Sequence, residues 1–439
     1  MHTTDITIES LTKIEGEASL NVKINDGKVE KVEFIISEYK RFYTEAMKGK
    51  PIAALPQLLS RICGTCSNAH IMVSIEACEK ALGITPSSQT VLLRTLTMYG
   101  LMIRDHALHL YLFVMPDLYN KDSFLDFDEN IETEHQILHD AFDIKAAGNF
   151  LSMLIAGRSV HAPYPTIGGF THFPDQAGID GAIKKLEEIR PAVLRLIDIF
   201  KNAPWHFDRK TGFMALVPER YGFLNGVIKN SDGEEISEEN YASYLERVVL
   251  PYSQASAYKH EGDSYMVGAL ARMNLAKDLL NPKTKETLGA LLDLFPSTDI
   301  YLNNLAQAIE ILHSIDDALD ILRTNKFVNE PIVTKPIAAG IGVGVIEAPR
   351  GTLYHKVVVG ADGIVKDGAI IVPTGQNQLN IEEDIARLVE SMINENLKAT
   401  SVKNFGELKG EIQHEIEKLI RAYDPCISCA AHFLEIKWQ

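Results

Sequence analysis

Two short cysteine segments lie near opposite ends of the 439-residue chain. The first reads Arg61-Ile62-Cys63-Gly64-Thr65-Cys66-Ser67-Asn68-Ala69-His70, and the second reads Asp424-Pro425-Cys426-Ile427-Ser428-Cys429-Ala430-Ala431-His432. Two cysteines separated by two residues can bind one metal ion from a single tight turn, and a histidine follows each pair within about one helical turn. If both segments bind the same metal, the fold must bring the two ends of the chain together.

Four thiolates suit zinc, an iron–sulfur cluster or nickel. A structural zinc site is the usual interpretation of two C-x-x-C pairs, but zinc modules generally place them about 12 to 20 residues apart. Here most of the chain lies between Cys66 and Cys426, which disfavours a small zinc module and leaves an iron–sulfur cluster open. The residues alone therefore predict a four-thiolate metal centre with two attendant histidines, His70 and His432.

The residues between these segments predict a mainly helical α+β protein. Apolar residues recur at three- and four-residue spacing over about 52–325, with amphipathic stretches at 87–113, 133–156, 180–201, 263–280 and 298–323. Residues 1–40 are β-rich, with β-branched residues on both sides of the turn Asn25-Asp26-Gly27. A second β-rich region over 337–372 turns at Ala361-Asp362-Gly363.

The last part of the chain, 376–439, is predicted to contain two helices and the second cysteine segment. The helices fall near 381–396 and 406–422, and Asp424-Pro425 ends the second of them. We expect a single composite domain over 1–439, in which small sheets from both end segments accompany a large helical region.

Composition argues against several other classes of protein. With 46% hydrophobic and 23% charged residues, the chain can bury a sizeable core. Its formal net charge of −16 argues against nucleic acid or an anionic membrane surface as a partner. No apolar run approaches the roughly 18 residues that span a bilayer, so we expect no direct membrane span. The polar, acidic start predicts no secretion signal.

Five cysteines in 439 residues are too few for a disulfide scaffold. Cys78 is the one outside both segments, on a predicted amphipathic helix, and it is expected to pack in the core. Two C-x-x-C pairs in a reducing compartment instead indicate a metal or redox site.

Both cysteine segments resemble the paired signatures of the large, active-site subunits of nickel–iron hydrogenases. Those signatures are R-x-C-G-x-C-x-x-x-H near the start and D-P-C-x-x-C-x-x-H at the end, and their joint occurrence in this order is specific. Weaker matches lie between them, so the resemblance covers essentially the whole chain; they fall at 12–17, 104–106, 157–158, 168–170, 347–351 and 372–374.

The resemblance implies reversible heterolytic cleavage of dihydrogen at a nickel–iron centre. All four cysteines of the two segments would bind nickel, with Cys66 and Cys429 bridging to iron and Cys63 and Cys426 as terminal ligands. Carbon monoxide and cyanide would complete the iron's coordination. Nothing in the sequence itself indicates those diatomic ligands.

The resemblance also assigns roles to residues around the metals. Arg350 would lie over the open coordination position, held by Asp105 and Asp424, and Glu15 would take a proton from a terminal thiolate. His70 would donate a hydrogen bond to the sulfur of Cys429. Taken alone, such residues would be assigned ordinary packing, surface or turn roles. Two further residues would contact the cofactor, Thr374 through a cyanide and Pro349 in the same loop as Arg350.

A second, hard cation is implied by Glu38 and His432. A carboxylate, an imidazole and waters suit magnesium or iron(II). The pattern Glu38-Tyr39-Lys40-Arg41-Phe42 resembles the soluble, cytoplasmic members of the family, so we expect a cytoplasmic enzyme. Lys13 departs from the family pattern, in which arginine is usual at this position.

Several partners follow from the resemblance. An iron–sulfur small subunit must carry the electrons, further electron-transfer subunits are expected, and nickel-insertion factors and a maturation protease would assemble the centre. Many members are cut after the histidine that matches His432, so 433–439 is either a maturation tail or a retained, packed end. No G-x-G-x-x-G dinucleotide fingerprint follows a predicted strand, so any nucleotide cofactor binds elsewhere.

Two rival functions share part of this pattern. The quinone-linked subunit of respiratory complex I has the same fold but lacks the four cysteines. A hydrogen-sensing regulatory hydrogenase subunit keeps every ligand and stays open as the alternative. A third alternative, from a different class, is a purely structural zinc protein, which would contain zinc and no nickel.

Overall fold

The computed structural model describes residues 3–38, 42–398 and 405–431. Long helices dominate it, as the amphipathic stretches predict. The described helices are α1 (Tyr43–Ala46), α2 (Leu55–Leu59), α3 (Ser67–Leu82), α4 (Ser88–Leu108), α5 (Met115–Leu118), α6 (Glu132–Ala156), α7 (Gln176–Lys201), α8 (Tyr241–Tyr244), α9 (Ala269–Ala276), α10 (Pro282–Leu288), α11 (Leu302–Thr324), α12 (Pro373–Lys398), α13 (Phe405–Ala422) and α14 (Ile427–Ala430).

The strands form small sheets. Two three-stranded antiparallel sheets, β1-β2-β3 and β12-β13-β14, come from the two predicted β-rich regions, which confirms the α+β prediction. The described strands are β1 (Thr3–Ile8), β2 (Ala18–Asn25), β3 (Lys28–Ile36), β4 (Pro165–Thr166), β5 (Gly169–Phe170), β6 (Gly212–Val217), β7 (Val227–Asn230), β8 (Glu235–Ile236), β9 (Glu246–Val249), β10 (Ser256–Lys259), β11 (Tyr265–Met266), β12 (Gly340–Ala348), β13 (Gly351–Val359) and β14 (Val365–Ile371).

One part of the predicted helical span is not helical. Between Gly212 and Met266 the chain forms the sheet β11-β6-β7-β8 and the pair β10-β9. Helical periodicity dominates 52–325 in the sequence, but strands replace helix over 212–266, and within the amphipathic stretch at 263–280 only Ala269–Ala276 is α-helical. Short buried runs such as β6 have no period that separates a strand from a helix.

A row of glycines on β12 lets helix α3 lie directly against the sheet. A Cβ atom on Gly340 or Gly342 would come within 2.0 Å of a carbonyl oxygen of α3, that of Ala81 or Ala77. Gly344 repeats this approach at Val73, where the distance would be 2.5 Å. Because α3 begins directly after Cys66, this close packing fixes the first cysteine segment against the strands that lead into Arg350.

The other long helices pack around α4. Helices α4 and α6 cross where both carry glycine, since a Cβ atom on Gly100 would meet Ser152 Oγ at 2.5 Å and one on Gly148 would meet Arg104 N at 2.8 Å. Helix α11 packs on α4 and α7. No helix in the three described ranges is long and apolar enough to cross a membrane.

The first and last described segments of the chain lie side by side. Glu15 and Cys426 form a parallel β-bridge, and Ile427 N donates to Glu15 O at 2.9 Å. The Arg421 guanidinium at the end of α13 donates from Nε to the carbonyl of Thr12 at 3.1 Å. These contacts bring the second cysteine segment to the N-terminal sheet.

Candidate metal centre

Both cysteine pairs converge on one buried point. Cys63 Sγ lies 3.3 Å from Cys426 Sγ, Cys66 Sγ lies 3.1 Å from Cys429 Sγ, and the two sulfurs of the second segment lie 2.9 Å apart. All four sulfur atoms lie within 4.8 Å of one another, and none is in a disulfide. Together they can occupy one metal's coordination sphere.

Local structure explains why each pair faces inward. Cys66 and Cys426 each immediately precede a helix, α3 and α14 respectively. The turn that carries the first pair is held from α4, because Arg104 Nη2 donates to Thr65 O at 2.6 Å. In the second pair, Cys426 N donates to Thr374 Oγ1 at 2.9 Å, which ties the cysteine to the start of α12.

The cysteine thiols of the cluster differ in acidity. Hydrogen bonds from Cys426, Cys429 and Cys66 hold the pKa of Cys63 well below its ordinary value. Burial, together with the neighbouring sulfurs, raises the pKa of Cys426 well above its ordinary value. Without a cation, the cluster therefore favours one thiolate that accepts hydrogen bonds from thiols, and binding a metal must release the remaining protons.

Arg350 lies above the sulfurs between two carboxylates. Its Nη1 donates to Asp105 Oδ2 at 2.9 Å, and its Nη2 lies 2.9 Å from Asp424 Oδ1. All three side chains are buried. Asp424 has a φ of 51° and follows Tyr423 just beyond the end of α13, so it lies where that helix ends and faces the arginine. The charges are paired, as burial requires.

A second buried network holds the loop that carries Arg350. The Arg272 guanidinium donates to Glu310 and Glu347, and also to the carbonyls of Ala348 and Pro349 at 3.1 and 3.0 Å. Its positive charge lowers the pKa of Glu310 to about 2 against the opposing effect of burial. This network fixes the two residues that precede Arg350.

A small cavity of about 10 Å³ lies beside the sulfurs, under the guanidinium. Arg350 Nε and Nη2 are buried there, and neither makes an aligned hydrogen bond to any described residue. The pocket therefore offers unused donors next to a group of sulfurs. Its walls are otherwise mostly apolar, and its lining comprises Cys66, His70, Ala348, Pro349, Arg350, Leu353, Pro373, Thr374, Cys426 and Cys429.

Glu15 touches the second cysteine segment. The Cys426 thiol donates to Glu15 Oε2 at 3.1 Å, and Ser428 N donates to the same oxygen at 3.0 Å. Burial and the nearby Cys63 raise the pKa of Glu15, although these hydrogen bonds oppose the rise. A carboxyl group with a raised pKa beside a sulfur atom is placed to exchange a proton with it.

His70 lies on the opposite side of the cluster. Its Nε2 is 3.7 Å from Cys429 Sγ, the sulfur to which it was predicted to donate, and its Nδ1 is 3.2 Å from His355 Nε2. Burial lowers the pKa of His70 to about 4, so the ring is neutral near pH 7.

Of the two predicted ligands of a second cation, only Glu38 is described. Ser428 Oγ donates to Glu38 Oε2 at 3.1 Å, so this carboxylate lies close to the second cysteine segment. His432 and the tail at 433–439 lie outside the described residues. Cys78 is buried with its Sγ 3.9 Å from Ile52 O, away from the cluster, in agreement with a core role.

Comparison with known proteins decides the family. A family model described as "Nickel-dependent hydrogenase" matches residues 41–175 and 228–432, which include both cysteine segments. The chain belongs to this family. It is a hydrogenase large subunit, and its four-cysteine cluster fits a nickel–iron site.

Relatives match this hydrogenase over nearly its whole length. It is 32% identical to the alpha subunit of Sulfhydrogenase 1 from Pyrococcus furiosus, over 98% of each chain. It is 28% identical to a chain of the F420-non-reducing hydrogenase from Methanothermobacter thermautotrophicus, over 98% of this chain and 95% of that one.

Solved structures share the fold. An NAD⁺-reducing nickel–iron hydrogenase in the H2-reduced state has a TM-score of 0.80 at 22% identity, over 98% of this chain and 99% of that one. A nickel–iron–selenium hydrogenase from Dm. baculatum has a TM-score of 0.76 at 20% identity, over 98% and 100% of the two chains.

Several residues of the hydrogenase site were not predicted from the sequence. Arg272 and Glu310 lie on α9 and α11 with no motif around them, and Gln307, also on α11, donates to Asp424 Oδ2 at 2.9 Å. His109 joins this set by a 2.6 Å bond to Gln307, from a π-helical turn at the end of α4. Such turns are common at functional sites, but the sequence shows no signal for one here.

Proposed function

We propose that the chain binds a nickel–iron centre through Cys63, Cys66, Cys426 and Cys429 and catalyses the reversible cleavage of dihydrogen into protons and electrons. The observation that carries the proposal is the convergence of four buried sulfurs directly beneath a buried arginine that retains unused donors. When bound, the metals would supply the site of dihydrogen cleavage. Cys66 and Cys429 would be the ligands shared between nickel and iron.

The pocket beside the sulfurs supports an iron that carries carbon monoxide and cyanide. A cyanide needs hydrogen-bond donors, and Arg350 Nε is a buried donor without a hydrogen-bond partner at that place among the described residues, while Nη2 is ion-paired with Asp424. Thr374 Oγ1 accepts from Cys426 N, which leaves its own hydroxyl proton available for a second acceptor. The apolar part of the wall, which includes Pro349 and Leu353, suits carbon monoxide.

The proton is proposed to leave through Glu15. This carboxyl group is 3.1 Å from Cys426 Sγ, and the next polar side chains outward are Ser428 and Glu38, joined by a 3.1 Å contact. Magnesium or iron(II) held by Glu38 and His432 would stabilise the second cysteine segment beside this route. Arg350 would act through its fixed charge, held in place by Asp105 and Asp424.

The electrons are proposed to leave through an iron–sulfur small subunit. The chain has five cysteines; four form the proposed nickel–iron site and the fifth, Cys78, is buried apart from them, so none remains for an iron–sulfur cluster. The relative from Pyrococcus furiosus is itself named an alpha subunit. Further electron-transfer subunits, nickel-insertion factors, a maturation protease and a cytoplasmic location belong to the same proposal.

Dihydrogen oxidation tests the proposed function. The complex purified with its partner subunits is expected to reduce an artificial dye under dihydrogen, and Cys66→Ser is expected to lose the metals and all of this activity, because an alcohol is a poor ligand for these metals. Cys78→Ser is the matched control, since its sulfur lies outside the cluster, and it should keep both. A wild-type complex that holds its metals without any dihydrogen-dependent turnover would instead favour the hydrogen-sensing alternative.

The tail at 433–439 is proposed to be removed during maturation. We expect the intact mass of the active large subunit to correspond to a chain that ends at His432. Fully active enzyme whose mass extends to Gln439 would show that the tail is retained, packed through its apolar side chains Phe433, Leu434, Ile436 and Trp438.

A further inference from the structure

Two buried histidines, His355 and His70, form a relay of side-chain contacts that ends on the cluster. His355, on β13, places its Nε2 3.2 Å from Nδ1 of His70, and the Nε2 of His70 lies 3.7 Å from Cys429 Sγ. The two rings are tilted by 37° with centroids 5.4 Å apart, so the contact runs from nitrogen to nitrogen and is not a stack. Both side chains are buried.

The positions of the protons on the two histidine rings can be deduced from the contacts of His70 and His355. A 3.2 Å contact between two ring nitrogens needs one N–H and one bare nitrogen, and both rings are buried where an imidazolium charge would be costly, so each neutral ring carries one N–H. A metal-bound Cys429 has no proton to donate, so His70 Nε2 must be the donor toward that sulfur. His70 Nδ1 is then a bare acceptor, and His355 Nε2 must donate to it.

The surroundings of His355, the histidine farther from the cluster, agree with this direction of hydrogen bonding. His355 Nδ1 is buried and has no hydrogen-bond partner among the described residues. If His355 donates to His70, its Nδ1 carries a lone pair and no proton. If His70 donated to His355 instead, Nδ1 would be a buried N–H without an acceptor. Orphaned buried N–H groups are rare because their desolvation is not compensated.

We propose that His355 is a positioning residue for the metal centre, which orients and polarises His70 so that its Nε2–H donates to Cys429. The inference rests on the proposed function, since it requires Cys429 to be a metal-bound thiolate. A ring nitrogen that accepts a hydrogen bond makes the opposite N–H a stronger donor. A stronger donor withdraws electron density from the sulfur and, through it, from the iron, as outer partners of metal ligands commonly do.

Two substitutions of similar shape separate donation from packing. His355→Gln retains an N–H that can donate to His70 Nδ1, whereas His355→Met fills a similar volume and has no donor. We expect His355→Met to lower the infrared stretching frequency of the iron-bound carbon monoxide in the purified complex, because the sulfur becomes more electron-rich. His355→Gln should leave the band at the wild-type position.

The same spectra show whether His355 acts through His70. His70→Phe should shift the band in the same direction and further, and adding His355→Met to His70→Phe should then change nothing. An unshifted His355→Met spectrum, or equal shifts for His355→Met and His355→Gln, would overturn the inference. Absence of any carbon monoxide band in the wild-type complex would instead contradict the proposed cofactor, so the two failures are distinguishable.

Discussion

Glu15→Gln is expected to lower dihydrogen oxidation by roughly a hundredfold or more, the usual contribution of a positioned proton-transfer group. The carboxyl group is 3.1 Å from Cys426 Sγ and buried, and its raised pKa brings it closer to the range in which it can both accept and release a proton. Glutamine keeps the shape and can still hydrogen-bond, but it cannot cycle a proton. Metal content should therefore remain unchanged.

Isotope exchange separates this effect from a damaged metal site. Exchange of deuterium with solvent protons requires the proton to leave the cluster, so it should fall together with oxidation. Conversion between para and ortho dihydrogen requires only cleavage and recombination, and it should survive. Glu382→Gln is a matched control, because Glu382 is also buried with its pKa raised to about 7 but contacts Phe34 N and Tyr252. Near wild-type oxidation by Glu15→Gln would show that the proton leaves by another route.

Arg350→Lys is expected to lower turnover by roughly a hundredfold, comparable to the loss of one donor from a preorganised site. The guanidinium faces Asp105 and Asp424 with two nitrogen atoms, each 2.9 Å from a carboxylate oxygen, and still presents unused N–H groups to the pocket. A lysine ammonium is a single charged point that cannot reproduce this fork, although it keeps the net charge of the buried group. The variant should therefore fold and retain its metals.

A second buried arginine provides the control. Arg94 makes two hydrogen bonds to Glu79, at 2.8 and 2.5 Å, and lines a different pocket. Arg94→Lys should lower the melting temperature to a similar extent but leave dihydrogen oxidation close to wild type. If Arg350→Lys and Arg94→Lys lower turnover equally, or Arg350→Lys has no effect, Arg350 does not act at the reacting site.

The parts of the fold that follow from local pattern were predictable. Long amphipathic stretches such as 133–156 became helices, here Glu132–Ala156, because their apolar face must be buried. The turn at Ala361-Asp362-Gly363 connects β13 and β14, since Gly363, with a φ of 74°, allows the chain to reverse. The strands of 212–266 were not predictable, because runs of two to six residues carry too few positions to show a period.

The residues of the metal site likewise fall into those that the sequence could predict and those that it could not. The four cysteines could be predicted to meet because each pair lies in a specific motif, and Arg350, Asp105 and Asp424 were identified by resemblance. Arg272, Glu310 and His355 could not, since a lone charged residue on a helix or a histidine on a strand shows no partner in sequence. The roles of Arg272 and Glu310 follow from contacts between α9, α11 and the β12–β13 loop, and that of His355 follows from its contact with His70 on α3. These contacts exist only in the folded protein.

Elemental analysis of the purified, mature complex tests the central claim most directly. Four thiolates in one buried cluster beneath Arg350 predict one nickel in each large subunit, together with iron beyond the amount held by the small subunit's clusters. Cys429→Ser should lose that nickel, while Cys78→Ser should keep it. Stoichiometric zinc in the large subunit with no nickel would contradict the account, because four cysteines would then form a structural site that cannot cleave dihydrogen.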